Sequence, residues 1–179
     1  MTGYRWISYA FGMLLAVTQV FAQAPKIGWV NSAKILSEYS EAVEANRKLD
    51  QMQKGWQQQL ETMSKEWQGK VDEYQKKKTL MNPDQRAAQE TDLTTQQQNI
   101  LQFRQEKFGN DGELATATDS LLRPIKQRVM KVIEQVAKDQ HVQFMFDRNE
   151  QIVVLLYGEA KADYTNLVID RLKRGETSK

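Results

Sequence analysis

Large apolar side chains recur every 11 residues in an otherwise polar region of the chain, and they are its best candidates for binding chemistry. An 11-residue spacing corresponds to about 3.67 residues per helical turn, which keeps the repeated positions on one narrow, nearly straight stripe. Such a stripe either packs a second helix or offers adaptable contacts to apolar segments of a partner polypeptide. Packing is favoured, because a two-helix hairpin has little else to hold it together. The side chains concerned are Met52, Trp56, Met63, Trp67 and Tyr74, joined by Phe103 and Phe108 from the helix that follows.

Basic side chains flank the predicted turn between these two helices. Lys76, Lys77 and Lys78 end the first helix, and Arg86 begins the second. This basic tip is suited to weak contact with anionic lipid head groups or acidic protein segments. The alternative is a solvated helix end at which the lysines offset the negative C-terminal dipole.

No residues are arranged for catalysis or for holding a metal or cofactor. The chain has no cysteine and one histidine, His141, and it lacks a glycine-rich phosphate loop followed by Lys-Ser or Lys-Thr. Its formal net charge of +2 is too small to neutralise a nucleic-acid backbone. We therefore predict a protein that is not an enzyme and that binds no cofactor, metal or nucleic acid.

Residues 1–22 have the features of a secretory signal peptide. Arg5 precedes an apolar run from Ile7 to Val17, and Val20 and Ala22 supply small residues for cleavage before Gln23. The run of about 11 residues is too short to span a bilayer, which needs roughly 20. Export with cleavage is predicted, and an uncleaved membrane anchor is the alternative. Without cysteine, stability must come from packing or association.

A long helical arm follows a short strand predicted at 26–31. Ser32 is expected to cap a helix that continues to about Leu80, roughly 65 Å in length. Asn82-Pro83 then starts a second helix, which ends near Phe108. Two long helices around a tight turn form an antiparallel hairpin. The predicted arm covers residues 44–108.

The remaining residues, 23–43 and 109–179, are predicted to form a small β-containing body. Gly109 to Gly112 marks a loop, and a helix with a broad apolar face follows it. Strands are expected at 142–147 and 151–157, with a final helix at about 163–174. The predicted fold class is α+β, predominantly α, with a long hairpin arm on the small body.

Three short strands leave open edges and apolar runs that one chain has little means to cover. Continuing the sheet from chain to chain would cover them, so a homo-oligomer is expected. The residues predicted to form the oligomer core are Ile27, Trp29, Phe144, Phe146, Val153 and Leu155.

The ordered set of segments in the mature chain resembles the Skp/OmpH family of periplasmic chaperones. The segments that carry the resemblance are KIGWVNSAKIL at 26–36, FGNDGEL at 108–114, LLRPIKQRVMKVIEQVAKDQHVQFMFD at 121–147, IVVLLYG at 152–158 and DYTNLVIDRL at 163–172. The resemblance implies a trimer with a shared central β-barrel, whose helical arms surround a cavity. It also implies ATP-independent holding of unfolded outer-membrane proteins, which prevents their aggregation. The alternative function is a coiled-coil adaptor of the cell envelope with one defined partner.

The arm departs from the family in its charge. Members of the family often have strongly basic arms, whereas residues 44–115 contain 11 Lys or Arg and 12 Asp or Glu. Strong electrostatic capture of clients by the whole arm is therefore not expected.

Overall fold

The computed structural model describes residues 24–149 and 155–177, and it confirms the predicted fold class. Two short strands accompany a set of long helices, so the chain is predominantly α with a small β component. The predicted signal peptide lies outside the described residues, as do residues 150–154. The elements are β1 (Ile27–Val30), α1 (Ser32–Glu38), α2 (Ser40–Lys77), α3 (Pro83–Phe108), α4 (Glu113–Asp139), β2 (Phe144–Asp147) and α5 (Thr165–Thr177), with short 3-10 turns at Lys78–Leu80 and Ala160–Ala162.

The start of α1 corrects the prediction that Ser32 caps this helix. Asn31 is the N-cap, and its side-chain oxygen accepts a hydrogen bond from the backbone N–H of Lys34 at 2.9 Å. Ser32 instead donates its hydroxyl to the carboxylate of Asp147 at 2.6 Å. The start of α1 is thereby tied to the end of β2.

The long first helix of the arm was predicted without a break, but the structure interrupts it at Tyr39. The backbone of this residue is extended, with φ of −82° and ψ of 115°, and it separates α1 from α2. The Tyr39 side chain is fully buried in the core of the body. Burial of the ring accompanies the change of chain direction that lets α2 leave the body.

The arm is an antiparallel hairpin of α2 and α3. The 38 residues of α2 extend about 57 Å at 1.5 Å per residue. Asn82 and Gln85 form a reciprocal capping box at the start of α3, and Pro83 occupies the first helical turn, as the sequence indicated. Local signals at the turn therefore determine where the hairpin reverses.

The corner between α3 and α4 is sterically tight. The backbone N–H of Gly112 donates to the carbonyl of Gly109 at 2.9 Å. A Cβ atom at Gly109 would lie 2.4 Å from the backbone oxygen of Gln105, and one at Gly112 would lie 2.8 Å from that of Glu106. Both positions require glycine because there is no room for a side chain, so the predicted loop is a closely packed corner.

The body contains two parallel strands. β1 and β2 pair from Ile27 opposite Phe144 to Val30 opposite Asp147. Of the third predicted strand, residues 151–154 lie outside the description, and 155–157 are not in a strand. α4 continues through Pro124 without ending. The buried core side chains come from β1, α1, the start of α2, α4 and α5, and include Val30, Ile35, Tyr39, Ala42, Ala45, Ile125, Val129, Val136, Val168 and Leu172.

Candidate functional site

The arm tryptophans lie between the two arm helices. The Trp56 ring meets Phe108 edge to face, with ring centroids 6.3 Å apart and planes at 89°. The indole N–H of Trp67 donates to the backbone carbonyl of Leu93 at 2.9 Å. The apolar stripe of α2 therefore faces α3 at both of these levels.

Tyr74 continues this seam toward the tip. Its ring is buried, and its hydroxyl donates to the carboxylate of Glu90. This hydrogen bond, followed by burial of the ring, raises the pKa of Tyr74 above its ordinary value. The phenol therefore remains protonated and keeps donating across the hairpin.

The rest of the seam is narrow. Leu60 on α2 and Ile100 on α3 are buried, and Met63 is half-buried. Met52 lies lower, in a groove at the α3–α4 corner beside Gly112. The inward positions of α3 are spaced by three and four residues, and they are Leu93, Gln96, Ile100, Phe103 and Lys107.

Lys107 belongs to a cluster that sequence reasoning missed. Its ammonium nitrogen lies 5.4 Å from the centroid of the Trp56 ring and 5.7 Å from that of Phe103. It also pairs with the carboxylate of Glu113 on α4, and its side chain is only 18% exposed. No local pattern distinguishes this lysine from the others, because its three partners come from three helices.

The basic tip is exposed. Lys76, Lys77 and Lys78 are all solvent-accessible, and Lys77 pairs with Glu73, which lowers the pKa of that carboxyl. The guanidinium of Arg86 donates to the carbonyl of Met81 at 3.2 Å. Next to them Leu80 is 87% exposed, an apolar side chain that the sequence did not single out.

The base of α2 is fixed to α4 by a polar group. A guanidinium nitrogen of Arg128 donates to the hydroxyl of Tyr39 at 3.0 Å and pairs with the carboxylate of Glu41. Burial is the main cause that raises the pKa of Tyr39. This contact fixes the start of the arm helix against the body.

The exposed face of α4 borders an open apolar groove of about 1270 Å³. Its lining includes Met130, which is 65% exposed, with Leu122 and Ile133 beside it. Met145 from β2 and Phe108 from the arm also line it. The groove therefore runs from the arm base to the sheet.

The predicted oligomer-core residues have different surroundings. Ile27, Phe144 and Phe146 are 51%, 54% and 37% exposed, and their strand positions place them on one side of the sheet. Trp29 is buried within its own chain, where its indole N–H donates to the carbonyl of Glu159 at 3.1 Å. Leu155 is half-buried, and Val153 lies outside the described residues.

A candidate metal site is absent from the parts of the chain that the structure describes. No group of three or more His, Cys, Asp or Glu side chains there could hold a metal ion. No helix within those same residues combines the length and hydropathy needed to cross a bilayer. The arm, its tip and the exposed apolar faces of the body are the candidate functional surfaces.

The sequence profile of the OmpH-like outer membrane protein family matches residues 26–172. The chain belongs to this family. The match covers the strands, the arm and most of α5, and it confirms the resemblance on which the sequence analysis relied. A search of curated proteins gives no match to this OmpH-like chain.

A solved structure shares the fold. The crystal structure of a proposed OmpH-like outer membrane chaperone from Caulobacter crescentus CB15 superposes with a TM-score of 0.69. The two sequences are 16% identical, and the alignment covers 85% of this chain and 86% of the other. At this identity the comparison shows that the arm-and-body architecture is common to both chains.

Proposed function

We propose that this OmpH-like chain is an ATP-independent holdase that binds unfolded outer-membrane proteins in the periplasm and prevents their aggregation. Membership of the family and the similar Caulobacter structure support a chaperone role. The observation that carries the proposal is the arm beyond Trp56. Some 30 Å of hairpin extends past the body there, and among the described residues it packs only on itself.

Oligomerisation would turn these arms into the walls of a cavity. Ile27, Phe144 and Phe146 leave one side of the sheet apolar and open, and the described sheet has two strands. The other side of β1 is occupied by its own chain, since the N–H of Tyr164 donates to the carbonyl of Trp29 at 2.9 Å. Among the described strands the outer edge of β2 has no neighbour, and we infer that a second copy would extend the sheet there. The family resemblance implies that three copies associate.

The outer face of α3 is the surface that we assign to client contact. Residues 93–103 include no charged side chain, and Leu101 is 56% exposed there between Gln97 and Gln98. Each glutamine amide can donate and accept hydrogen bonds, which matches the peptide groups of an unfolded chain. Among the described residues neither Gln97 nor Gln98 has a side-chain partner, so both amides are available.

The large seam side chains are less accessible for this task. Trp56, Trp67 and Tyr74 are engaged by α3, so a client would reach them only if the hairpin opened. A client enclosed in the cavity between the arms can be held without opening of the hairpin. Many weak contacts from several arms supply the affinity, and each remains individually reversible.

The periplasm is the compartment that we propose for this activity. The signal-like segment at 1–22 supports export, and a chain without cysteine is indifferent to the oxidising environment outside the cytoplasm. The basic tip, with Leu80 exposed beside Lys76 to Lys78, would give weak contact with an anionic membrane surface.

Suppression of aggregation tests the proposal. Several unrelated β-barrel proteins are diluted from denaturant into buffer without nucleotide, and light scattering is followed with and without the mature chain. A holdase suppresses scattering of all of them at near-stoichiometric ratios. Failure with every client, or activity with one alone, would favour the adaptor function instead.

A further inference from the structure

The arm leaves the body at the level of Trp56. Below this level α2 packs on the body, where Ala42 and Ala45 share the core with Ile125 of α4. Above it α2 packs on α3. Gly55 stands at this boundary, and nothing lies within 4 Å of the place where its Cβ would be. Gly55 therefore contributes no side-chain packing at this level, where the adjacent Trp56 packs against Phe108.

Lys107 is the side chain that connects the three helices at this boundary. It rises from the last turn of α3, lies over the Trp56 ring of α2, and pairs with Glu113 at the first turn of α4. The side chain is mostly buried although it carries a charge. A buried charge is stable only while its partners stay in place, so its contacts resist separation of the three helices.

The other ion pairs of the arm do not have this property. Most of them join residues three or four apart on one helix, as Lys65 does with Glu61, and the Lys65 side chain is 76% exposed. Lys70 of α2 reaches Asp92 of α3 at 3.8 Å, but both side chains are about half exposed. An exposed pair within a single helix stabilises that helix slightly and has no effect on its direction. Lys107 therefore differs from the remaining arm lysines both in burial and in the elements that it connects.

We propose that Lys107 is the positioning residue that sets the angle between the arm and the body. With its cation in place, Trp56, Phe103 and Glu113 hold the base of the arm closed. Without it, the arm swings about Gly55 and the α3–α4 corner. The consequence for cavity width rests on the proposed holdase function, whereas the angle itself is a property of the chain that can be measured without a client.

Distances between spin labels on the tip and the body test this proposal. The chain has no cysteine, so Thr79→Cys at the tip and Ala33→Cys on α1 give two unique labelling sites. Labelled chains are mixed with an excess of unlabelled chains, so that only distances within one chain are recorded. A swing of about 10° over roughly 35 Å of arm moves the tip by about 6 Å. We expect Lys107→Met to broaden or shift the distribution by at least about this amount.

Three variants separate positioning from general damage. Lys107→Arg retains the charge and can stack on the rings, so it should restore the narrow distribution. Lys65→Met removes an exposed lysine of the arm and should leave the distribution unchanged. If Lys107→Met lowers the helical circular dichroism signal, the Glu113→Gln variant is used instead. Glu113→Gln removes the ion pair but leaves the Lys107 cation on the aromatic rings. Glu113→Gln should broaden the distribution to a lesser extent.

The proposal is overturned if the helical variant Lys107→Met, or Glu113→Gln in its place, gives the wild-type distribution. Equal broadening by Lys65→Met would also overturn it. Failure of the wild-type chain to suppress aggregation, with the distances behaving as expected, would reject only the holdase function. The two results are therefore independent.

Discussion

At the scale of single residues, Trp67 sets the alignment of the two arm helices through one hydrogen bond. Its indole N–H reaches the backbone carbonyl of Leu93, a contact that fixes axial register as well as adding apolar area. The 11-residue spacing predicted that Trp56 and Trp67 share a stripe, and the structure places that stripe against α3. The hydrogen bond itself could not be predicted, because it depends on which turn of α3 lies opposite.

Replacing Trp67 with Phe should separate these two contributions. The substitution keeps most of the apolar contact and loses the hydrogen bond, which should lower the free energy of unfolding by about 0.5–1.5 kcal/mol. Thermal or urea unfolding measures the difference. Leu80→Ala at the exposed tip serves as the control and should change stability by less than about 0.5 kcal/mol. Equal effects of the two variants would contradict a seam role for Trp67.

Tyr74 makes a prediction about alkaline pH. Its pKa is raised in the folded chain, so the stability it provides is fully present below the ordinary tyrosine pKa near 10. That stability is lost as the pH rises through the folded pKa, because the unfolded chain ionises first. We expect the melting temperature of the wild type to fall more steeply above about pH 10 than that of Tyr74→Phe. Parallel pH curves would contradict the Glu90 contact.

Lys107 shows where sequence reasoning reaches its limit at this scale. A lysine in the last turn of a polar helix is ordinarily solvated, and nothing near it in the sequence names its partners. Trp56 and Glu113 become its neighbours only when the hairpin and the α3–α4 corner have formed.

At the scale of elements, local signals predicted most of the arm. Asn82 and Pro83 marked the reversal, and Gly109 to Gly112 marked the return to the body. The break at Tyr39 was missed, because the sequence there has no glycine or proline and the cause is burial of the ring among α4 residues. Ser32 was predicted to cap the helix, whereas Asn31 is the N-cap and the Ser32 hydroxyl donates to Asp147 at the end of β2.

Two glycine-to-alanine substitutions should have opposite effects on the free energy of unfolding. Gly109→Ala places a methyl group 2.4 Å from a backbone oxygen in the corner, which should cost about 1–3 kcal/mol of unfolding free energy. Gly55→Ala meets open space in a helix and should stabilise it by up to about 1 kcal/mol. Chemical unfolding followed by circular dichroism compares the two. Stabilisation by both would show that the corner is loose.

The uncharged face of α3 should make client holding nearly independent of salt. Ionic screening between about 0.05 M and 0.5 M salt weakens capture by charge but leaves contacts to Leu101 and the glutamine amides largely intact. Leu101→Glu should weaken client affinity several-fold, as measured by fluorescence titration with an unfolded outer-membrane protein. Gln89→Glu, which adds the same charge to α3 outside residues 93–103, is the matched control. A steep salt dependence in the wild type would point to the basic tip instead.

At the scale of the whole molecule, the described residues leave apolar surface exposed on one side of the sheet, at Ile27, Phe144 and Phe146. Met145 points to the opposite side of β2, where it packs against the core and lines the groove along α4. Strand number led to the expectation of a homo-oligomer from the sequence, and this stays a prediction. Burial of Trp29 by its own chain was not predicted, because Glu159 and Gly158 reach it from a distant segment.

The mass of the mature chain in solution tests the central claim most directly. Residues 23–179 are purified and examined by light scattering coupled to size-exclusion chromatography at micromolar concentration. We expect three chains per particle, and Ile27→Asp and Phe144→Asp together should reduce that number. A folded, stable monomer would contradict it, since the exposed sheet would then need no second copy and the arms would enclose nothing.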